Sequence, residues 1–210
     1  MTPQSRFASW AVICVAVILG SGAALLWRHS SAPIDLTTGS YLSPRRALPN
    51  FSLIDQRGQA FGPEDLRGGW SFLFFGYTNC PDFCPTTLTT LAAMEKRLQA
   101  SGAGLRPRVI FMSVDAKRDT PAQLAKYVPY FDPEFVGVTA ADQPAIEDLA
   151  RKLGVAVLLS PPKADGSYTV DHSAEIFVVD PAGKLTAILT GPFTPAALQS
   201  DFQRIVAVSG

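Results

Sequence analysis

The sequence predicts an α/β domain, a mixed sheet flanked by helices with an N-terminal hairpin, carried behind one N-terminal transmembrane helix. Three observations lead there. Residues 7–27, FASWAVICVAVILGSGAALLW, form a stretch of 21 residues without a charge. From Leu48 onward, apolar runs of strand length alternate with segments of helical period and end in an antiparallel pair. Two cysteines, Cys80 and Cys84, stand between the first long apolar run and the first helical segment.

As a helix, residues 7–27 would extend roughly 31 Å, which matches the hydrocarbon thickness of a bilayer. Trp10 and Trp27 stand near its ends, where indoles favour the interface, and Arg6 and Arg28 close it off. A cleaved signal peptide is the competing reading. The stretch is long for such a core, however, and Arg28 with His29 occupies the place where small neutral residues precede cleavage. The expectation is an uncleaved anchor over residues 1–28. A short tail before one span commonly exports the domain behind it, and paired cysteines suit an oxidising or metal-handling compartment. With no Arg-rich transit peptide before the span, the sequence favours a bacterial cytoplasmic membrane with the domain in the periplasm; a mitochondrial inner membrane facing the intermembrane space is the alternative. Residues 29–47, HSSAPIDLTTGSYLSPRRA, lack a sustained period and are rich in Ser, Thr and Pro, so they read as a flexible tether containing a solvated His29.

The remaining elements come in order over residues 48–210. PNFSLIDQRGQAF alternates around a Gln-Arg-Gly turn and reads as a hairpin. Residues 70–75 are a continuous apolar run bounded by glycines, the pattern of a fully buried strand. Leu88, Leu91, Met94 and Leu98 recur at helical spacing until SGAG stops them, and residues 109–114 make a second buried strand. Thr120 with Pro121 opens a helix; after a third strand, Asp142 with Pro144 opens another that Gly154 can end. Residues 175–179 and 185–189 flank the turn DPAGK, and Thr194 with Pro195 caps a last helix. A cysteine pair between the first long strand and its helix makes this the thioredoxin-like arrangement. The chain is 47% apolar, and its 18 basic residues balance 18 acidic ones with no basic stripe, so nucleic acid is not expected as a partner.

The stretch TNCPDFCPTTL places each cysteine before a proline. A disulfide, a redox couple and a metal clamp all fit that spacing. At a helix N-terminus the free N–H groups and the dipole favour thiolate, so both sulfurs are expected to be nucleophilic or ligating. An inert staple is the weaker reading, because a short ring removes little unfolded-chain entropy. Of the two histidines, His172 stands beside Asp171 just before the strand at 175–179. In a thioredoxin-like sheet that loop lies against the helix start, so His172 can close a site with Cys80 and Cys84. Two thiolates and one imidazole suit Cu(I) and can also hold Cu(II), whereas structural zinc wants a fourth ligand that the domain lacks. Copper is therefore favoured. Met94 and Met112 belong to the core pattern and are not recruited as ligands. Asp115 and Asp119 fall at a strand end, where sites gather in open α/β sheets but where turn and cap chemistry also explains them.

The pieces FSLIDQRGQAF, FFGYTNCPDFCPTTL, SVDAKRDTP and YTVDHSAEIFVVDPAGK, in that order over nearly all of residues 48–208, resemble the Sco/SenC family of membrane-anchored copper proteins. The resemblance implies a thioredoxin-like domain that delivers copper to the binuclear Cu(A) centre of cytochrome c oxidase subunit II. It carries Cys80, Cys84 and His172 over as copper ligands, and Asp171 by position as the residue that orients His172 from behind. Subunit II is the implied partner, with another copper chaperone or a thiol reductant upstream. Two alternatives stay open: a thiol–disulfide oxidoreductase in which Cys80 and Cys84 are the redox pair, and a copper or redox sensor. A peroxidase is disfavoured because Asp82 beside the thiols opposes thiolate formation. The segment VAVLLSPPKADGSYT has its own local composition and is expected as a loop that alters partner fit.

Overall fold

A six-residue strand with every side chain buried organises the domain. The computed structural model describes residues 34–209; the anchor over residues 1–28, and His29 with the first part of the tether, lie outside the described residues. Among the described residues no helix is long and apolar enough to cross a membrane. In chain order the elements are β1 (Gly39–Ala47), β2 (Leu53–Asp55), β3 (Ala60–Phe61), β4 (Ser71–Gly76), α1 (Phe83–Ala100), β5 (Arg108–Ser113), α2 (Pro121–Tyr127), β6 (Val136–Thr139), α3 (Gln143–Leu153), β7 (Val157–Leu159), β8 (Val170–His172), β9 (Ile176–Val179), β10 (Lys184–Leu189) and α4 (Pro195–Ser209).

Eight strands form one mixed sheet in the order β1-β10-β9-β4-β5-β6-β2-β3. The buried strand is β4, SFLFFG, which pairs parallel with β5 and antiparallel with β9. Its continuous apolar run reflects cover on both faces. β5 and β6 continue the parallel set, which requires the crossover helices α1 and α2. α1 packs beside α4. Phe202 of α4 meets the Trp70 and Phe72 rings edge-on at 5.6 and 5.1 Å. α2 lies close over β6 because Gly137 has no side chain: a Cβ there would stand 3.1 Å from both Leu124 and Val128. The caps are those the sequence predicts. Thr120 accepts from the Gln123 amide, Asp142 from the Ala145 amide, and Gly154 ends α3 in the left-handed region at φ +83°.

Two expectations are corrected. Residues 39–47, read as the end of a tether, are β1, an edge strand paired antiparallel with β10 from Gly39↔Leu189 to Ala47↔Lys184. None of its side chains is fully buried, so it carries no apolar alternation. It is held by its backbone ladder and by Asp201 of α4, which accepts from the Thr37 and Thr38 amides and the Thr38 hydroxyl at 2.7 to 2.9 Å. The folded unit accordingly starts at Asp35 rather than at residue 48. The segment 155–169 is likewise more than a loop. It supplies β7, which pairs with β8 as a separate two-stranded sheet in the register Val157↔His172, Leu158↔Asp171, Leu159↔Val170.

Candidate metal centre

β4 ends at Gly76, and the chain turns back at once into α1. Within that turn the Thr78 amide and hydroxyl both donate to Asp119, at 2.9 and 2.7 Å, and the Cys80 amide donates to the Tyr77 carbonyl at 3.2 Å. Pro81 then leads to the helix, whose N-cap is Asp82 and whose second residue is Cys84. The Cys84 amide, one of the donors that a helix start leaves without an intrahelical partner, points at Cys80 Sγ 3.3 Å away. Cys84 is completely buried and Cys80 is half-buried; both are free thiols. Room for the Cys84 sulfur comes from Gly76, where a Cβ would lie 3.1 Å from Sγ and 2.6 Å from the Phe111 ring.

β8 brings the third residue. His172 is the last residue of that strand, and its Nε2 stands 3.5 Å from Cys84 Sγ, across 88 residues of sequence. Its Nδ1 lies 2.8 Å from the Ser173 carbonyl. A carbonyl can only accept, so Nδ1 carries the hydrogen and Nε2 presents its lone pair to the cysteines. The Phe74 and Tyr77 rings close edge-on around the imidazole, with centroids at 6.4 and 6.1 Å. Burial lowers the His172 pKa, against the weaker opposing pull of Ser173, Asp171 and Glu175, and so favours the neutral, ligating form. One donor atom from each of Cys80, Cys84 and His172 lies within 4.8 Å of the other two.

The electrostatics revise one expectation. Burial pushes the Cys84 thiol well above the ordinary cysteine range, and the contact with Cys80 pushes it the same way. Without a cation, Cys84 keeps its proton despite the helix N-terminus. A cation at the three donors is the compensation the site calls for, since its charge displaces the thiol proton. Two thiolates and an imidazole are a soft set that fits copper, and Cys80 gives it an accessible side.

The remaining sequence candidates sort differently. Asp171 is exposed, and the group that engages His172 Nδ1 is the Ser173 carbonyl rather than Asp171, which corrects the expected orienting role. Met94 and Met112 are core residues with no exposed surface. Asp115 and Asp119 are both fully buried at the site's edge, Asp119 holding the cysteine turn through Thr78. Sequence reasoning missed Gly76, Tyr77, Arg118, Tyr168 and Ser173. Of these, only Ser173 carried a local signal, its place directly after His172.

The family model described as SCO1/SenC matches residues 40–207. An SCO2-like protein of Rickettsia conorii is 32% identical over 177 residues, covering 82% of this chain and 85% of that protein. Among solved structures, Arabidopsis thaliana ScoI with copper bound superposes with a TM-score of 0.71 at 30% identity, covering 76% of this chain and 97% of that one. Bradyrhizobium japonicum ScoI with copper bound gives 0.66 at 33% identity, covering 76% and 99%. The range matched by the family model includes all three donor residues.

Proposed function

Since this chain belongs to the SCO1/SenC family, we propose that it is a copper chaperone that takes up one copper ion through Cys80, Cys84 and His172 and hands it to the Cu(A) site of cytochrome c oxidase subunit II. The observation that carries the reading is the convergence, among the described residues, of two sulfurs and one imidazole nitrogen within 4.8 Å, where burial disfavours ionisation of the Cys84 thiol unless a cation is present. The copper-bound relatives support copper as the ion. Zinc is less suited, because residues 35–210 contain no Cys or His besides these three to serve as a fourth ligand of a structural site.

The cargo is held by unequal ligands. Two thiolates satisfy Cu(I), whereas Cu(II) gains more from the imidazole. Handing over starts at Cys80, the accessible sulfur: an incoming acceptor thiolate joins the ion on that side before the buried Cys84 lets go. The apolar segment 7–27 would keep the domain at the outer face of a bacterial cytoplasmic membrane, beside a membrane-bound acceptor.

A second reading uses the same two thiols. Cys80 as thiolate attacks an acceptor disulfide and releases one acceptor thiolate; Cys84 as thiolate then attacks Cys80 Sγ and releases the other. Two electrons pass to the acceptor, and the pair ends as a disulfide. The adjacent free thiols favour this chemistry, but the upward shift of Cys84 slows its resolving step.

Copper titration of the reduced chain under anaerobic conditions, beside His172→Ala and Cys84→Ser, separates the two. One equivalent of Cu(I), with a sulfur-to-Cu(II) charge-transfer band that His172→Ala shifts and weakens, is expected. Unchanged Cu(II) affinity in His172→Ala would overturn the ligand set. No copper retention together with a rapidly cycling Cys80–Cys84 disulfide would make the oxidoreductase the function. Mixing loaded protein with the reduced, metal-free Cu(A) domain of subunit II tests delivery, and copper that stays on the donor would overturn it.

A further inference from the structure

The loop between β5 and α2, residues 114–120, touches both halves of the candidate centre, and it does so with different residues. Asp119 holds the cysteine turn through Thr78. Asp115 and Arg118 hold the other half, at Tyr168. Asp115, fully buried, forms an ion pair with Arg118 and accepts the Tyr168 hydroxyl at 2.8 Å. Arg118 donates from Nη1 to the Tyr168 carbonyl at 3.0 Å, and its guanidinium carbon lies 3.6 Å from the centre of the Tyr168 ring. Tyr168 is therefore gripped at its carbonyl, its ring face and its hydroxyl by two residues that are themselves paired. Val170, two residues later, begins β8, and His172 ends it.

This grip has work to do, because the strand that carries His172 is not part of the eight-stranded sheet. β7 and β8 bond to each other, and the hairpin closes on itself through the Ala156–Ser173 and Ser160–Thr169 bonds. A two-stranded hairpin is marginal alone, so its position depends on what fastens it to the body. Tyr168 and His172 are four residues apart, a span of at most roughly 13 Å, so the clamp acts close to the ligand through the short strand β8. Arg118 also reaches toward the site along a second line: its guanidinium lies 5.7 Å from the Tyr77 ring centre, and Tyr77 packs edge-on to His172.

We propose that Asp115 and Arg118 are positioning residues which, by clamping Tyr168, set how closely His172 approaches the cysteine pair and thereby set the preference of the site for Cu(II) over Cu(I). The proposal rests on the copper reading and deepens it. Its logic is the inequality of the ligands: loosening the hairpin withdraws the imidazole, which Cu(II) uses, and leaves the sulfurs, which suffice for Cu(I). Residues that orient a ligand from outside the coordination sphere change metal affinity by roughly 10 to 100-fold when replaced, which sets the expected scale.

The experiment uses Tyr168→Phe, which removes only the hydroxyl, and Arg118→Ala, which removes the ion pair, the carbonyl bond and the ring contact. Cu(II) affinity should fall about threefold to tenfold in the first and 10 to 100-fold in the second, with a shifted charge-transfer band, while Cu(I) affinity stays within about threefold. Arg118→Lys keeps a charge against Asp115 but not the planar fork or the stacking, and should not restore the band. In the metal-free proteins, amide hydrogen exchange should quicken at β7 and β8 and stay slow at β4 and β5. Equal losses of Cu(I) and Cu(II) affinity would overturn the proposal in favour of general destabilisation. A freed hairpin with unchanged Cu(II) binding would overturn it as well. If the unsubstituted protein shows no His172-dependent Cu(II) signal, the copper reading falls with the metal half of this one, and exchange in the metal-free protein still decides the clamp.

Discussion

A methyl group added at Gly76 would lie 2.6 Å from Phe111 Cε2 and 3.1 Å from Cys84 Sγ, with no other room to take. The backbone there is ordinary strand, so this glycine is required for space rather than for conformation. Both neighbours are fully buried, and neither can yield without moving β5 or the start of α1. Gly76→Ala should therefore cost about 1–3 kcal/mol, the usual range for overpacking a core, and should displace the one sulfur of the pair that has no solvent side. On the proposed copper reading, the same substitution should weaken binding in both oxidation states, since it moves a sulfur that both would use. Chemical denaturation and copper titration of the variant check the two halves separately; native affinity would show that Cys84 Sγ has slack. The grouping of Cys80, Cys84 and His172 is legible in the sequence because few residue types carry soft donor atoms. Gly76 is not, because its importance arises only when Phe111 and Cys84 are brought against it from two other elements.

Among the elements, α1 carries a charge on its inner side. Glu95 is 8% exposed, and burial, with Asp132 and Glu134 nearby and only partly offset by Arg106, pushes its pKa up to about 7. A carboxyl whose folded value exceeds its ordinary one near 4.5 stabilises the fold only while protonated. That contribution is complete below the unfolded value and is lost as pH rises through about 7. It amounts to at most about 3 kcal/mol. Thermal unfolding of the metal-free protein should thus show stability falling between about pH 5 and about pH 8, and Glu95→Gln should flatten that slope and raise the melting temperature at the upper end of that range. A variant with the unaltered slope would mean that Glu95 is better solvated than its burial indicates. Elements are where sequence reading succeeded and failed for definable reasons. Thr120, Asp142 and Gly154 are local caps, so α2 and α3 could be placed from adjacent residues alone. β7 presents Leu158 and Leu159 outward at 67% and 42% exposure, and so lacks the alternation that marks a half-buried strand.

At the scale of the molecule, the two ends of the folded unit complete each other. β1 covers the β10 edge of the sheet, and the hairpin of β2 and β3 covers β6 at the opposite edge. Asp201, near the C-terminus and wholly buried, takes all three of its hydrogen bonds from Thr37 and Thr38, across at least 163 residues of sequence. Nothing near residue 37 announces this, because the segment is polar and the group that fixes it comes from the far end of the chain. A domain cut at residue 48, the boundary that composition suggests, would lose β1 and all three hydrogen bonds that Asp201 accepts from Thr37 and Thr38. Hydrogen bonds to a carboxylate contribute about 1.5–3 kcal/mol each, and the bare β10 edge adds a surface for pairing with other chains. The domain beginning at Asp35 should unfold cooperatively and stay monomeric in dilute solution, while the one beginning at residue 48 should melt more than about 10 °C lower and associate. Replacing Asp201 with Asn in the longer domain provides the second comparison, since it keeps the strand and weakens only the charged acceptor; its melting temperature should fall between the two. If the two domains melt alike, β1 contributes nothing to the fold, and residues 35–47 return to being the tether that composition suggests. If the order holds, those residues belong to the domain, and the spacer that composition implies is shorter by all of them.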